Sequence, residues 1–403
     1  MADHRDYLLG CIEPLPPFGQ QILDAVGLSL CEDVVAGLSM PRFDNSAMDG
    51  YAVRAADVAD ADELSPVSLP VVGEVAAGAP APHQLSPGTA MKIMTGAALP
   101  EGADAVVPYE ATDRGGQDVR ITEPSVSGQH VRRVGEDVAE GDLVLRAGDL
   151  LTSRSIGLLA AIGVDQVMVR PRPRVVVIST GSELVEPGLA LRTDQQIYDS
   201  NSYMLAAAAK AAGAQVFRVG LVPDDPDQLK QVISDQLVRA DLILTTGGVS
   251  QGDYDIVKQV LPDLGPCDFT GVAMQPGKPQ GFGLIGDDLT PIIMMPGNPV
   301  SAFVSFEAFV RPVLRKLAGN EPYVRPAVKL TAARAITSVA GKLQFARGVV
   351  RADADQRLTV DLAGGHGSHL LGGLAAADAL LLIDEDTDFV AAGDEIDAWM
   401  LDA

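Results

Sequence analysis

The stretch Arg239-Ala-Asp-Leu-Ile-Leu-Thr-Thr-Gly-Gly-Val-Ser-Gln-Gly-Asp-Tyr-Asp255 sets the fold class. Leu242 to Leu244 form a short apolar run of the kind that makes a buried strand in a parallel sheet. Thr245 and Thr246 continue it, Gly247 and Gly248 stop it, and Asp255 to Leu261 is periodic as a helix. A strand that breaks on paired glycines before a helix leaves backbone N–H groups bare, and bare N–H groups suit an anion. The loop also carries Ser250, Asp253 and Asp255. Carboxylates beside a phosphate-binding loop call for a cation between them, and oxygen donors favour magnesium. Taken alone, the same residues equally describe a tight turn with glycines for packing.

The pattern recurs on either side. Arg174-Val-Val-Val-Ile-Ser-Thr-Gly-Ser-Glu-Leu184 is an apolar strand ending in Thr180-Gly181, with Ser182 and Glu183 beyond. Ile292-Ile-Met-Met-Pro-Gly-Asn-Pro-Val-Ser301 is another, ending in Pro296-Gly297-Asn298-Pro299. Such strand ends lie along one edge of a parallel sheet, where open α/β folds bind ligands. One Gly-rich loop is weak evidence. Three in one unit, with acids and hydroxyls, argue for a phosphate-bearing ligand. Gln275-Pro-Gly-Lys-Pro279 adds Lys278, a cation in a rigid setting near those ends. A solvated surface lysine is the ordinary alternative.

The α/β unit runs from Arg174 to about Gly319. Its expected helices are Tyr203–Ala212, Gln228–Arg239 (capped by the acids of Pro223-Asp-Asp-Pro226), 255–261 and a long one over Val300–Leu317. The strands at 174–179, Val216–Val222, 242–246, Phe269–Ala273, Gly281–Ile285 and Ile292–Met295 alternate with them, which predicts a mainly parallel sheet. Upstream, Tyr7–Ile12 and Gln20–Val26 read as short amphipathic helical pieces around Pro14, Pro16 and Pro17. They are too small to hold a core and should pack on later chain. Val67–Val75, Ala90–Met94, Ala105–Pro108 and Val119–Thr122 are short strands between Gly and Pro turns, a small sheet or barrel. Leu150–Ile162 begins as a helix capped by Thr152 or Ser153, and Pro171-Arg-Pro173 is a stiff connection. From Val328 onward, five strand-like runs at regular spacing predict a small separate β-barrel. The chain is therefore an α/β multidomain protein. Residues 1–40 plus 140–173 form an N-terminal helical/extended linking domain, 41–139 a β-rich inserted domain, 174–320 the α/β domain and 321–403 a C-terminal β-barrel.

Three local clusters are ambiguous by themselves. Asp44, Asn45, Ser46 and Asp49-Gly50 crowd one loop, and local chemistry favours Asx-type turns there over a binding surface. Val131-Arg-Arg-Val-Gly-Glu-Asp137 reads as a solvated set of two bases near two acids. Gly364-Gly-His-Gly-Ser-His369 holds a His-x-x-His pair, but no helix aligns the rings and no third ligand is evident, so zinc is not expected.

Composition narrows the partners. In 403 residues, 54 acids stand against 30 bases, a formal net charge of −24. Phosphate neutralisation needs a basic face, so nucleic acid is disfavoured, as is an anionic membrane surface. A small anion remains compatible, because a few local bases outweigh a distant field. Hydrophobic residues make up 47%, enough for real cores. Cys11, Cys31 and Cys267 have no metal-ligand spacing, and a sparse, odd count points to a reducing compartment. The N-terminus lacks a signal-peptide core and no apolar run approaches a membrane span. The expected location is cytoplasmic.

Read together, Asp44-Asn-Ser-Ala-Met-Asp-Gly-Tyr-Ala-Val53, Lys92-Ile-Met-Thr-Gly96, Gly135-Glu-Asp137, Ser179-Thr-Gly-Ser-Glu-Leu184, Thr246-Gly-Gly-Val-Ser250, Pro276-Gly-Lys-Pro279, Pro296-Gly-Asn-Pro-Val-Ser301 and Gly367-Ser-His369 stand in a telling order. The chain resembles, over nearly its whole length, the molybdopterin molybdenumtransferases, the molybdenum insertases of molybdenum-cofactor synthesis, which are similar to the C-terminal part of gephyrin. The first motif is long enough to override the turn reading at 44–53.

The resemblance implies an L-shaped homodimer of four-domain subunits. In it, adenylylated molybdopterin and molybdate give molybdenum cofactor and AMP, with magnesium. It implies catalytic roles for Asp49, Asp137, Glu183, Asp225, Asp253 and Lys278, with Glu183, Asp225 and Asp253 holding magnesium. Thr180, Gly181, Ser182, Thr246, Gly247, Gly248, Val249, Ser250, Pro296, Gly297 and Asn298 would meet the substrate. Lys278, Arg347, Ser301 and Ser368 would donate to molybdate, while Asp49, Thr95 and Asp137 would come from the partner subunit. Expected protein partners are the molybdopterin adenylyltransferase and recipient molybdoenzymes. Gln275 departs from the pattern: some members carry lysine there, so this pocket holds one cation fewer.

Two alternatives stay open. The adenylyltransferase of the preceding step resembles only the α/β unit and has no need of residues 1–150 or 328–403. A non-catalytic scaffold, as in gephyrin's related domain, has no need of the acids and Lys278.

Overall fold

The computed structural model describes residues 1–79, 84–247, 256–353, 355–365 and 367–401. Strand Leu242–Thr246 lies inside a six-stranded sheet, flanked in parallel by Arg174–Ser179 and Thr290–Met295. Gln215–Arg218 extends the parallel set outside Arg174–Ser179. Pro279–Ile285 and then Cys267–Gly271 complete the other side with antiparallel pairing. Successive strand residues face opposite ways. Val175, Val177, Leu242, Leu244, Ile293 and Met295 enter one apolar cluster, and Val176, Ile178, Ile243, Ile292 and Met294 enter another. Helix Asn201–Ala211 and the helical run 299–317 cover the first face; Pro226–Leu237 and Ile256–Val260 cover the second. Both faces are buried, which is why these strands read as unbroken apolar runs.

The expected long helix is interrupted. It runs Pro299–Ser305, then a wider π turn over Phe306–Val310, then Arg311–Leu317. Glu307 is buried inside that turn, 2.6 Å from Arg325 Nε and 3.5 Å from Arg311 Nε. At the N-terminus, Ala2–Gly10 is helical, and Leu8 and Ile12 join the first α/β cluster, as a piece too small for its own core must. The helical reading of Gln20–Val26 needs correction. Phe18–Gln21 is a strand paired antiparallel with Gln166–Val169, and only Ile22–Ala25 turns, as a 3-10 helix. Helix Ser153–Ala161 has Thr152 as its N-cap, in a reciprocal capping box with Ser155.

Within 41–139, five strands form a mixed sheet in the order Ala105–Pro108, Gly50–Val53, Ala90–Ile93, Val67–Val75, Asp118–Ile121. Gly50 is required by close approach: a Cβ there would stand 2.0 Å from the Val107 carbonyl oxygen. At the C-terminus, Leu343–Ala352, Leu358–Leu362, Val328–Ala332, Glu395–Met400 and Ala379–Ile383 close into a five-stranded barrel, which removes free edges. Phe345, Leu374, Leu380 and Trp399 of this region belong to the same apolar cluster as the α/β sheet. Met274–Gln275 pairs in parallel with Leu343–Gln344 and so stitches the Lys278 loop to the barrel.

Candidate active site

Register places Ser179 beside Thr246 and Thr246 beside Met295. The loops that follow therefore emerge side by side at the C-terminal edge of the sheet. Gly247 adopts φ +93°, and a Cβ on it would meet the Thr180 carbonyl oxygen at 2.9 Å, so glycine is needed for these loops to abut. Gly181 is packed under Glu183, whose carboxylate oxygens lie 2.8 and 3.0 Å from where a Cβ would be. Thr246 is buried; its hydroxyl donates to the Pro296 carbonyl at 3.2 Å. Gly248, Val249, Ser250 and Asp253 lie outside the described residues.

The two acids of Pro223-Asp-Asp-Pro226 have separate tasks. Asp225 Oδ1 accepts from Gln228 N at 2.9 Å and is the N-cap of helix Pro226–Leu237. Asp224 turns to the strand ends, where its Oδ2 accepts from Ser182 N at 3.0 Å and Ser182 Oγ at 2.9 Å. Asp224 was missed by sequence reasoning. Asn201 was missed as well: its Nδ2 reaches Thr246 Oγ1 at 2.9 Å and the Gly297 carbonyl at 2.6 Å.

The barrel meets this edge through Asn298 and Ser368. Asn298 Nδ2 donates to Ser368 Oγ at 3.0 Å, and the Ser368 carbonyl accepts from Val300 N at 3.0 Å. Ser301 is buried in the first turn of the helix that follows. Arg347 is 5% exposed and donates to the carbonyls of Leu370, at 2.7 Å, and Gly365. Burial lowers its pKa from the ordinary arginine value. Arg347, Gln275, Pro276 and Val300 line one crevice of about 20 Å³ between the barrel and the Lys278 loop. Lys278 itself is exposed, with its stem across Gly271. The loop that carries it is held from beneath by Gln280, whose Nε2 donates to the Gly277 carbonyl at 2.6 Å and Ser305 Oγ at 2.7 Å.

Asp49, Thr95 and Asp137 gather elsewhere. Asp49 Oδ1 accepts from Thr95 N at 2.7 Å and Thr95 Oγ1 at 2.8 Å. These bonds, the backbone one first, hold its carboxyl below the ordinary aspartate value. The Asp137 segment is tied to the same loop through Asp44, which accepts from Val134 N at 2.8 Å and Arg133 Nη1 at 2.6 Å. Turn bonds are present too, as Ser46 Oγ accepts from Met48 N at 3.3 Å. Among the described residues, no hydrogen bond or ion pair joins Asp49, Thr95 or Asp137 to the strand-end loops. Nor do any three His, Cys, Asp or Glu among them form a group able to hold a metal.

Comparison with known proteins identifies the family. Residues 2–163 match the family described as MoeA N-terminal region (domain I and II), 176–316 the probable molybdopterin binding domain, and 329–401 the MoeA C-terminal region (domain IV). The molybdopterin molybdenumtransferase 2 of Mycobacterium tuberculosis is 46% identical over 100% of this chain and 99% of its own. The molybdopterin molybdenumtransferase of Haemophilus influenzae is 35% identical over 93% and 91%. The crystal structure of the molybdopterin biosynthesis MoeA protein of Pyrococcus horikoshii superposes with a TM-score of 0.83 at 31% identity, covering 99% of this chain and 98% of that one. The chain belongs to the MoeA family, that of the molybdopterin molybdenumtransferases.

Proposed function

We propose that this chain is a molybdenum insertase, taking molybdate and adenylylated molybdopterin to molybdenum cofactor and AMP. The observation that carries this reading is the convergence of three strand-end loops with the Arg347 crevice and the Lys278 loop. One edge thus offers N–H and hydroxyl donors to phosphates, with cationic groups beside it for a compact dianion. Cleavage of the phosphoanhydride is then largely a matter of position and charge. The adenylyltransferase alternative leaves the barrel and the β-rich sheet without a task.

Magnesium commonly uses one or two carboxylates plus substrate phosphates, so exposed Glu183 and Asp224 are suitable donors, joined by Asp253. Bound there, it would neutralise charge on the phosphoanhydride. We give Asp224 the place first assigned to Asp225, because Asp224 turns to the strand-end loop at Ser182 while Asp225 caps its helix. Asp49, Thr95 and Asp137 complete the pocket from a second copy, which makes the working unit a homodimer. The four-part division of the chain and a cytoplasmic location belong to the same reading.

The test is incubation of the purified protein with adenylylated molybdopterin, molybdate and magnesium. AMP release without ATP is expected. Consumption of ATP to make the adenylylated pterin would overturn the reading.

A further inference from the structure

Asn201 opens helix Asn201–Ala211 and is 9% exposed, wedged between two strand-end loops. Its Nδ2 donates to Thr246 Oγ1 and to the Gly297 carbonyl, while the Thr246 hydroxyl donates onward to the Pro296 carbonyl. That chain of bonds dictates which way the amide points. The Thr246 proton is already committed and Gly297 offers only an acceptor, so both contacts need donors, and only the NH₂ end has two. The consequence is a buried Oδ1 with no partner among the described residues, an arrangement that costs stability. The backbone beneath is fixed by Asp199, whose Oδ1 accepts from Ser202 N at 3.1 Å and Ser179 Oγ at 3.2 Å.

We propose that Asn201 is a positioning residue: it locks the Thr246–Gly247 loop to the Pro296–Asn298 loop and so sets the spacing of the groups that meet the substrate. This rests on the insertase reading. The loops are close enough for such a lock to matter. Gly247 N donates to the Met295 carbonyl at 3.2 Å, and a Cβ on Gly297 would stand 3.6 Å from Gly247 Cα.

The test is Asn201→Asp, which keeps the shape and replaces both donors with acceptors. At about pH 8, kcat/KM for AMP release should fall on the order of 10²-fold, mostly in kcat, because misplacement is felt in the transition state. Toward about pH 6 the deficit relative to wild type should shrink about tenfold, as burial raises the new carboxyl's pKa and its proton restores one donor. The ionisable group nearest in the chain is Asp199, with Arg218 3.9 Å from it. Hydrogen exchange at the Gly247 amide should also quicken. Wild-type activity, a deficit independent of pH, or unchanged exchange would each overturn the proposal. If Asn201→Asp does not fold, Thr246→Val removes the shared hydroxyl at nearly constant shape, with the same expectation for AMP release and exchange. If the wild-type chain releases no AMP, the insertase reading fails, and exchange alone then judges the lock.

Discussion

The strand-end edge of the α/β sheet and the Asp49 corner of the β-rich sheet use the same residue types under opposite conditions. At the edge, hydroxyls and amides are buried. Thr246, Asn201 and Gln280 are buried and each is held by a bond to a neighbouring loop or helix. At the corner, Asp49 and Thr95 are exposed and hold chiefly each other. The first arrangement carries its geometry within one chain. The second presents a prepared carboxylate to whatever covers it, which is what the proposed pocket shared between two copies requires.

Inactivating each half separately should have the largest effect. Asp49→Ala and Asp253→Ala should each lower AMP release on the order of 10²–10³-fold. Co-assembled, they should recover about a quarter of all pockets, since half the dimers are mixed and each mixed dimer keeps one intact pocket. Mixed dimers recovered by tagged pull-down with no activity above the parents would mean that the corner does not serve its partner's edge.

A second effect should appear in stability. Gly50→Ala drives a Cβ into the Val107 carbonyl and should cost roughly 3 kcal/mol or more in urea melts. Gly297→Ala, whose nearest contact is 3.6 Å away, should cost under about 1 kcal/mol. Equal losses would show that the corner rests on a support no tighter than the edge.

Adjacent acids give a finer contrast. Asp225→Ala should lose about 1 kcal/mol of stability with AMP release retained, as a cap does. Asp224→Ala should lose AMP release with little change in melting. The reverse pattern would return the metal role to Asp225.

The smallest expected effect is on titration. Thr95 depresses the Asp49 pKa, so their interaction is present above the ordinary carboxylate range and is lost as pH falls through the lowered folded value. Thr95→Val should move that pKa upward, read by carbon-13 NMR of the carboxyl. An unmoved pKa would mean that the backbone bond at position 95, which the variant keeps, holds Asp49 without the hydroxyl.

The central strands were legible because burial on both faces leaves unbroken apolar runs at 175–178, 242–244 and 292–295. Phe18–Gln21 was not, because its partner strand lies at Gln166–Val169 and no local period records that. Asp224 and Asp225 are both plausible caps by position, and only the bonds to Ser182 and Gln228 separate them. Asn201 leaves no pattern at all, since a single asparagine at a helix start looks like any other.

Met274–Gln275 has a mechanical consequence. These residues lie just before the Lys278 loop and are at the same time an added strand on the barrel. The Lys278 ammonium is thus carried on a short span tied at one end to the barrel and at the other to sheet strand Pro279–Ile285. A tilt of the barrel against the sheet would load the barrel end of that span against the Gln280 and Val272 bonds that hold its sheet end. Substitutions in the barrel wall, remote from every reacting atom, should thus register as changes in anion affinity, with the angle between the two bodies as the variable they share.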